Sequence, residues 1–249
     1  MFPITHIWFS DKVLGYTNHL TVLGAIFPDA CVCKHLTYDI THKSNWAIFD
    51  YIFEEKIELS DFAKAMVTHT VFPKGLDYYC DGLFMSSKGY CFQKAALIVD
   101  DVIDACNLPV EYGLWKAHNF IEMAVELEVA TRNGWINRAF REALFDDCLI
   151  NSLELFIEFY FDLNPGSMKD SFKRFESFAT IAENSSYQLA LQYELNMQKR
   201  HGININVEKS SNIIESCRAI IKEDFTDFIN TAEDRVKRML HDRLELNNI

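Results

Sequence analysis

The chain is short of what a β-sheet protein needs. Its 249 residues include only 9 Gly and 5 Pro, too few for a turn every 8–12 positions or so, as short strands demand. Long apolar runs are also missing: nothing approaches the roughly 18–20 consecutive apolar residues of a membrane helix, so no transmembrane segment is expected. Positive charge is in deficit, with 24 Lys and Arg against 36 Asp and Glu and a net charge of −12. An extended nucleic-acid groove needs a basic stripe, so broad binding to DNA or RNA is disfavoured. Cys-x-x-Cys is absent. The seven cysteines (Cys31, Cys33, Cys80, Cys91, Cys106, Cys148, Cys217) are odd in number and mostly scattered, the pattern of reduced thiols. The opening Met1-Phe2-Pro3-Ile4-Thr5-His6 has neither a basic n-region nor a long apolar core. No signal peptide is therefore expected, and a cytoplasmic location is.

Several catalytic signatures are missing as well. The sequence holds no Gly-x-Ser-x-Gly elbow, no Walker-type loop, no Gly-x-Gly-x-x-Gly fingerprint and no Glu-x-x-His pair of the di-iron bundles.

What is present is a composition 49% hydrophobic and 24% charged, enough for a real core, and helical spacing almost throughout. It predicts an all-α protein, a multi-helix bundle. Helices are expected over Ser10–Leu20, Asn45–Glu55, Phe62–Val71 (capped by Ser60-Asp61), Lys88–Cys106, Leu114–Thr131 and Trp135–Phe161, with an apolar segment Leu23–Asp29. Asn164-Pro165-Gly166-Ser167 is the clearest break. Beyond it, helices are expected over Lys169–Ala182, Ser186–Arg200 and Ser210–Leu246. The break suggests a division into residues 1–163, a metal-binding core, and 168–249, a C-terminal helical extension packed on it. Six histidines precede the break and only His201 and His241 follow it. Chemistry is thus expected before it, and a buttress or homo-oligomer surface after it.

The helix containing Trp115–Ala130 carries the sharpest signal. At about 100° per residue, His118 and Glu122 sit about 40° apart, on the arc that also holds Leu114, Ile121, Val125 and Val129. A carboxylate there is costly unless paired or coordinated. Taken alone, the two are more often a buried hydrogen-bonded pair than metal ligands. Asp77 and Asp81, also four apart, share a helical face and offer hard oxygen ligands, or else a solvated helix end stopped by Gly82. Asp29 closes an apolar run beside Gly24 and Pro28, where it could equally cap a turn. His42, His69 and His6 are each, singly, ordinary histidines, yet all lie in segments able to return to one core. Asp100, Asp101 and Asp104 read as a solvated helix face.

Together these residues resemble the zinc-dependent phospholipase C family, whose all-helical fold is shared with the P1-type nucleases. The resemblance rests on Gly24-x3-Pro28-Asp29, a following His42, Asp77-x3-Asp81 where the family has His-x3-Asp, and His118-x3-Glu122. It covers roughly residues 4–130. It implies a hydrolase of phosphodiesters using zinc, one to three ions, or another divalent metal such as manganese or magnesium. Asp29, His42, Asp77, Asp81, His118 and Glu122 would be metal ligands, with Asp81 bridging two ions. Asp81 and Asp29 would be the catalytic carboxylates, and His6 would match the family's N-terminal histidine ligand. The sequence departs from the family in Asp77 and in lacking a histidine between Asp81 and His118, for which His69 is the only nearby spare. The implied substrate is a small phosphodiester or a phospholipid headgroup. The alternative is a catalytically eroded member of the same fold, acting as a binding or assembly module.

Overall fold

Pro3, whose ring presets a helical φ, opens the first helix, α1 (Pro3–Leu14), and Gly15 closes it at φ 80°. The computed structural model describes residues 2–179 and 185–246. In α2 (His19–Ala30) Asn18 and Thr21 form a reciprocal capping box at the start, and Pro28 lies inside the final turn. The expected helix Ser10–Leu20 is therefore wrong: the Pro3 start and Gly15 stop outweigh the apolar spacing that suggested it.

Next come α3 (Tyr38–Lys43), α4 (Asn45–Glu55) and, after a 3₁₀ turn at Ile57–Leu59, α5 (Ser60–His69). Helix α4 has the bounds its spacing predicts. Ser60 lies inside α5 rather than capping it, and no side chain caps that end. A π-helical turn, Tyr78–Gly82, leads into the two-residue strands β1 (Leu83–Phe84) and β2 (Ser87–Lys88), an antiparallel hairpin. The rest is helical: α6 (Tyr90–Ala95), α7 (Val99–Cys106), α8 (Val110–Arg132), α9 (Trp135–Leu144), α10 (Asp147–Tyr160), α11 (Glu176–Ala179), α12 (Ser186–His201), α13 (Val207–Ile221) and α14 (Phe225–Leu246). The all-α class is correct.

Three long expected helices are each broken in two. Lys88–Cys106 divides into α6 and α7, and Ser210–Leu246 into α13 and α14. Trp135–Phe161 divides at Asp146, whose side chain caps α10 by accepting from the Leu149 amide. Lys169–Ala182 is reduced to a 3₁₀ turn, Lys173–Phe175, and α11, with residues 180–182 lying outside the described residues. The segment before it is held otherwise than by helix: buried Glu158 accepts from the Met168 amide and buried Glu154 from the Ser171 amide.

Buried apolar side chains from Ile4 to Leu240 form one cluster, with α8 running through it. Helix α1 packs on α2, α8 and α14; α13 packs on α7 and α8. Helices α2 and α5 lie especially close, because Gly24 faces the Phe62 carbonyl where a Cβ would stand 2.3 Å from the oxygen. That contact sets the spacing of two helices that both end in the site. Asp100, Asp101 and Asp104 are exposed, as expected. Among the described residues, no helix is long and apolar enough to cross a membrane.

Candidate metal centre

Eight side chains of interest converge from six segments. Helix α1 brings His6, the end of α2 brings Asp29, α3 brings His42, and the last residue of α5 is His69. Asp77 immediately precedes the π turn and Asp81 lies within it, while α8 supplies His118 and Glu122. All are buried except Asp29, whose side chain is 35% exposed, and Asp81, which is intermediate.

Three groups have ligand atoms all within 4.8 Å of one another: His6–Asp29–His69, His42–His69–Asp77 and Asp81–His118–Glu122. Every residue expected from the sequence as a metal ligand is brought into one of them. His69, only a spare in the sequence, belongs to two. Its Nε2 lies 3.2 Å from Asp77 Oδ2 and 3.8 Å from Asp29 Oδ2. His42 Nε2 lies 3.4 Å from Asp29 Oδ1 and 3.8 Å from Asp77 Oδ2, and His6 Nε2 lies 3.4 Å from Asp77 Oδ1.

The histidines are oriented from behind. Nδ1 of His69 meets the Ala25 carbonyl at 2.6 Å, so that nitrogen carries the proton and Nε2 presents a lone pair. Nδ1 of His42 meets Thr41 Oγ1 at 2.8 Å. The Nε2 atoms of His6, His42 and His69, Nδ1 of His118 and Oδ1 of Asp81 are buried without hydrogen-bond partners. The three Nε2 atoms nonetheless face Asp29 or Asp77 oxygens at 3.2–3.4 Å, a setting of lone pairs and carboxylates that suits a shared cation. Rings hold two of the imidazoles from the side: Tyr38 stacks on His42 at 4.0 Å and Phe92 on His118 at 4.4 Å.

The electrostatics agree. Desolvation lowers His6 well below its ordinary value, helped by the charge of His69. His118 is likewise lowered by burial, with Glu122 opposing. At His69 burial also acts to lower, but Asp77 and Asp29 outweigh it and the group is raised. Desolvation acts to raise the Asp29 carboxyl, yet His42 and His69 prevail and leave it lowered. Asp81 is pushed well up, first by burial and then by the charge of Glu122, with Asp77 and Asp29 adding to it. A cation among these carboxylates would relieve that repulsion.

A buried carboxylate on the helix of His118 and Glu122 escaped the sequence reading. Glu126, two turns beyond His118 on α8, accepts from the Ile4 amide at 2.8 Å and from the Thr5 amide and hydroxyl at 2.7 Å each. It caps α1, which has no side-chain cap of its own, and so fixes the turn that carries His6. The signal was available: Glu126 continues the four-residue spacing of His118 and Glu122.

Comparison with protein-family models, curated proteins and solved structures finds no match.

Proposed function

We propose that this chain is a metal-dependent hydrolase of small phosphodiesters, as its resemblance to zinc-dependent phospholipase C implies. The observation that carries the reading is the convergence of His6, His42, His69 and His118 on four carboxylates, with buried imidazole nitrogens turned toward them. These donors fit a divalent ion: three imidazoles with Asp29 and Asp77 on one side, and His118 with Asp81 and Glu122 on the other. Imidazole suits zinc, while the carboxylates admit manganese or magnesium. Bound there, such an ion supplies Lewis-acid polarisation of a phosphoryl oxygen and a lowered pKa for a bound water.

The chain's own groups set the stage for that chemistry. Asp29, whose side chain is 35% exposed, is kept ionised by His42 and His69. Asp81 draws the centre together, its carboxyl facing Glu122 and lying near Asp77. The apolar wall behind, with Phe92 against His118, excludes bulk water and strengthens every charge inside it. A small substrate accords with a net charge of −12, which offers no track for a polyanion. A cytoplasmic location accords with cysteines that are all free thiols.

The test is elemental analysis of protein purified without chelator, together with hydrolysis of a chromogenic phosphodiester. At least one bound ion per chain is expected, and His118→Ala should abolish turnover. A folded, metal-free protein whose behaviour ignores that substitution would overturn the proposal.

A second reading, an assembly module with a spent site, is favoured by one observation. Tyr187, Leu191 and Leu195 are exposed at four-residue spacing along α12, a stripe suited to pairing with a second copy. Sedimentation of the wild type and of Leu191→Asp decides it: a dimer lost in the variant supports the module.

A further inference from the structure

Lys116 stands on α8 two residues before His118, about 200° from it round the helix axis, and so on the side turned away from the metal centre. It is only 5% exposed. Lysine is almost never buried unless it is paired, and the partner here is another base: Nζ lies 3.3 Å from Nε2 of His201, the last residue of α12. The Trp115 ring covers the ammonium, 4.0 Å from ring centroid to Nζ. Among the described residues, no carboxylate pairs with Lys116, with His201 or with the adjoining Arg200.

A chain with 36 Asp and Glu against 24 Lys and Arg has carboxylates to spare, so three basic groups gathered without one form a specific arrangement. Burial weighs against charge on Lys116, and Arg200 adds its repulsion. His201 is lowered in the same sense, by burial and then by Lys116 and Arg200. The group acting the other way on Lys116 is the Cys106 thiol, which burial pushes up to about 12 and so leaves neutral. The end of α12 does not supply the missing charge either. The Gly202 amide already takes the carbonyls of Met197 and Gln198, and a helix C-terminus offers only about half a charge.

We propose that Lys116, His201 and Arg200 hold a phosphate group, free or as a phosphomonoester, between α8 and the end of α12. Two oxygens of one tetrahedral anion can accept from Nζ and Nε2 together, because these donors stand 3.3 Å apart. The anion draws a proton from solvent onto His201, whose Nε2 then donates instead of accepting from the lysine. Arg200, exposed at the rim, closes on a third oxygen as guanidinium groups do on phosphate. A dianion balances such a cluster, whereas a single carboxylate would leave it positive. The site shares no residue with the metal centre and does not rest on the reading given to that centre.

The experiment is calorimetric titration of the full chain with inorganic phosphate and, separately, with phenyl phosphate; tighter binding of the second marks a phosphomonoester as the ligand, and equal binding marks free phosphate. Lys116→Met, which keeps the length of the side chain, should weaken binding about 10–100-fold, the loss of one charge-assisted hydrogen bond. Arg200→Gln and His201→Gln should each weaken it too. Phosphate should also change the tryptophan fluorescence of the wild type, and Trp115→Phe should remove that change. A wild type that binds neither probe, or a folded Lys116→Met that binds both as well as the wild type does, would overturn the proposal. Binding kept in Lys116→Met but lost in His118→Ala would place the anion at the metal centre and overturn it as well. If circular dichroism shows that Lys116→Met does not fold, the double variant of the exposed Arg200 and His201 decides: unchanged affinity there overturns the proposal.

Discussion

The carbonyl of Ala25 lies 2.6 Å from Nδ1 of His69. A backbone atom of α2 thereby decides which nitrogen of an α5 side chain faces the centre. Such outer-shell bonds commonly carry 10–100-fold or so in metal affinity. His69→Ala, which removes the ligand as well as the bond, should weaken Zn²⁺ binding by more than that, measured by competition with a chromogenic chelator. Unchanged affinity would exclude His69 from the centre.

The helix spacing that allows this bond is set by Gly24. In Gly24→Ala the new methyl would meet the Phe62 carbonyl at 2.3 Å, and a backbone atom cannot swing away as a side-chain tip can. The helices must part, at a cost of about 3 kcal/mol or more. Urea denaturation should show that loss, with a fall in metal affinity because Asp29 and His69 sit at the ends of the separated helices.

Removing metal should reveal how far the ions stabilise the fold. An ion held at about 100 times its dissociation constant adds about 2.7 kcal/mol, which in a chain of this size is a Tm change on the order of 5–10 °C. Thermal unfolding with and without EDTA checks this, and a Tm indifferent to chelator would count against bound metal.

Glu126 makes stability depend on pH. Burial pushes its carboxyl from 4.5 up to about 7, against the opposing bonds from Thr5 and Ile4. The folded chain thus holds that proton more tightly than the unfolded one. Its contribution is fully present below pH 4.5 and is lost as pH rises to about 7, a change on the order of 3 kcal/mol. Urea midpoints for wild type and Glu126→Gln, which cannot titrate, should move relative to each other over that window, the wild type alone losing stability as pH rises. Parallel curves would show that Glu126 does not titrate there.

Spacing alone exposed much of this. Helix α4, the core of α8 and the pairs Asp77/Asp81 and His118/Glu122 follow from which residues share a helical face. The breaks between α6 and α7, α9 and α10, and α13 and α14 were hidden because no Gly or Pro marks them; only Asp146 left a trace, as a cap. The start of α1 was legible in Pro3 and Gly15 but lost to a stronger apolar pattern. His69 could not be ranked above the other histidines, since its partner is a carbonyl and every residue has one. The parallel setting of its ring on His6 depends on the distance between α1 and α5, which no local pattern records.

The cap that Glu126 places on α1 joins residues 121 and 122 positions apart. The ends of a helix ordinarily fray, and their amide hydrogens exchange with solvent sooner than those of its middle. Here the amides of Ile4 and Thr5 are tied to the helix at the centre of the core. Their hydrogens should therefore exchange as slowly as those of α8 itself, so that the first turn of α1 opens only when α8 does.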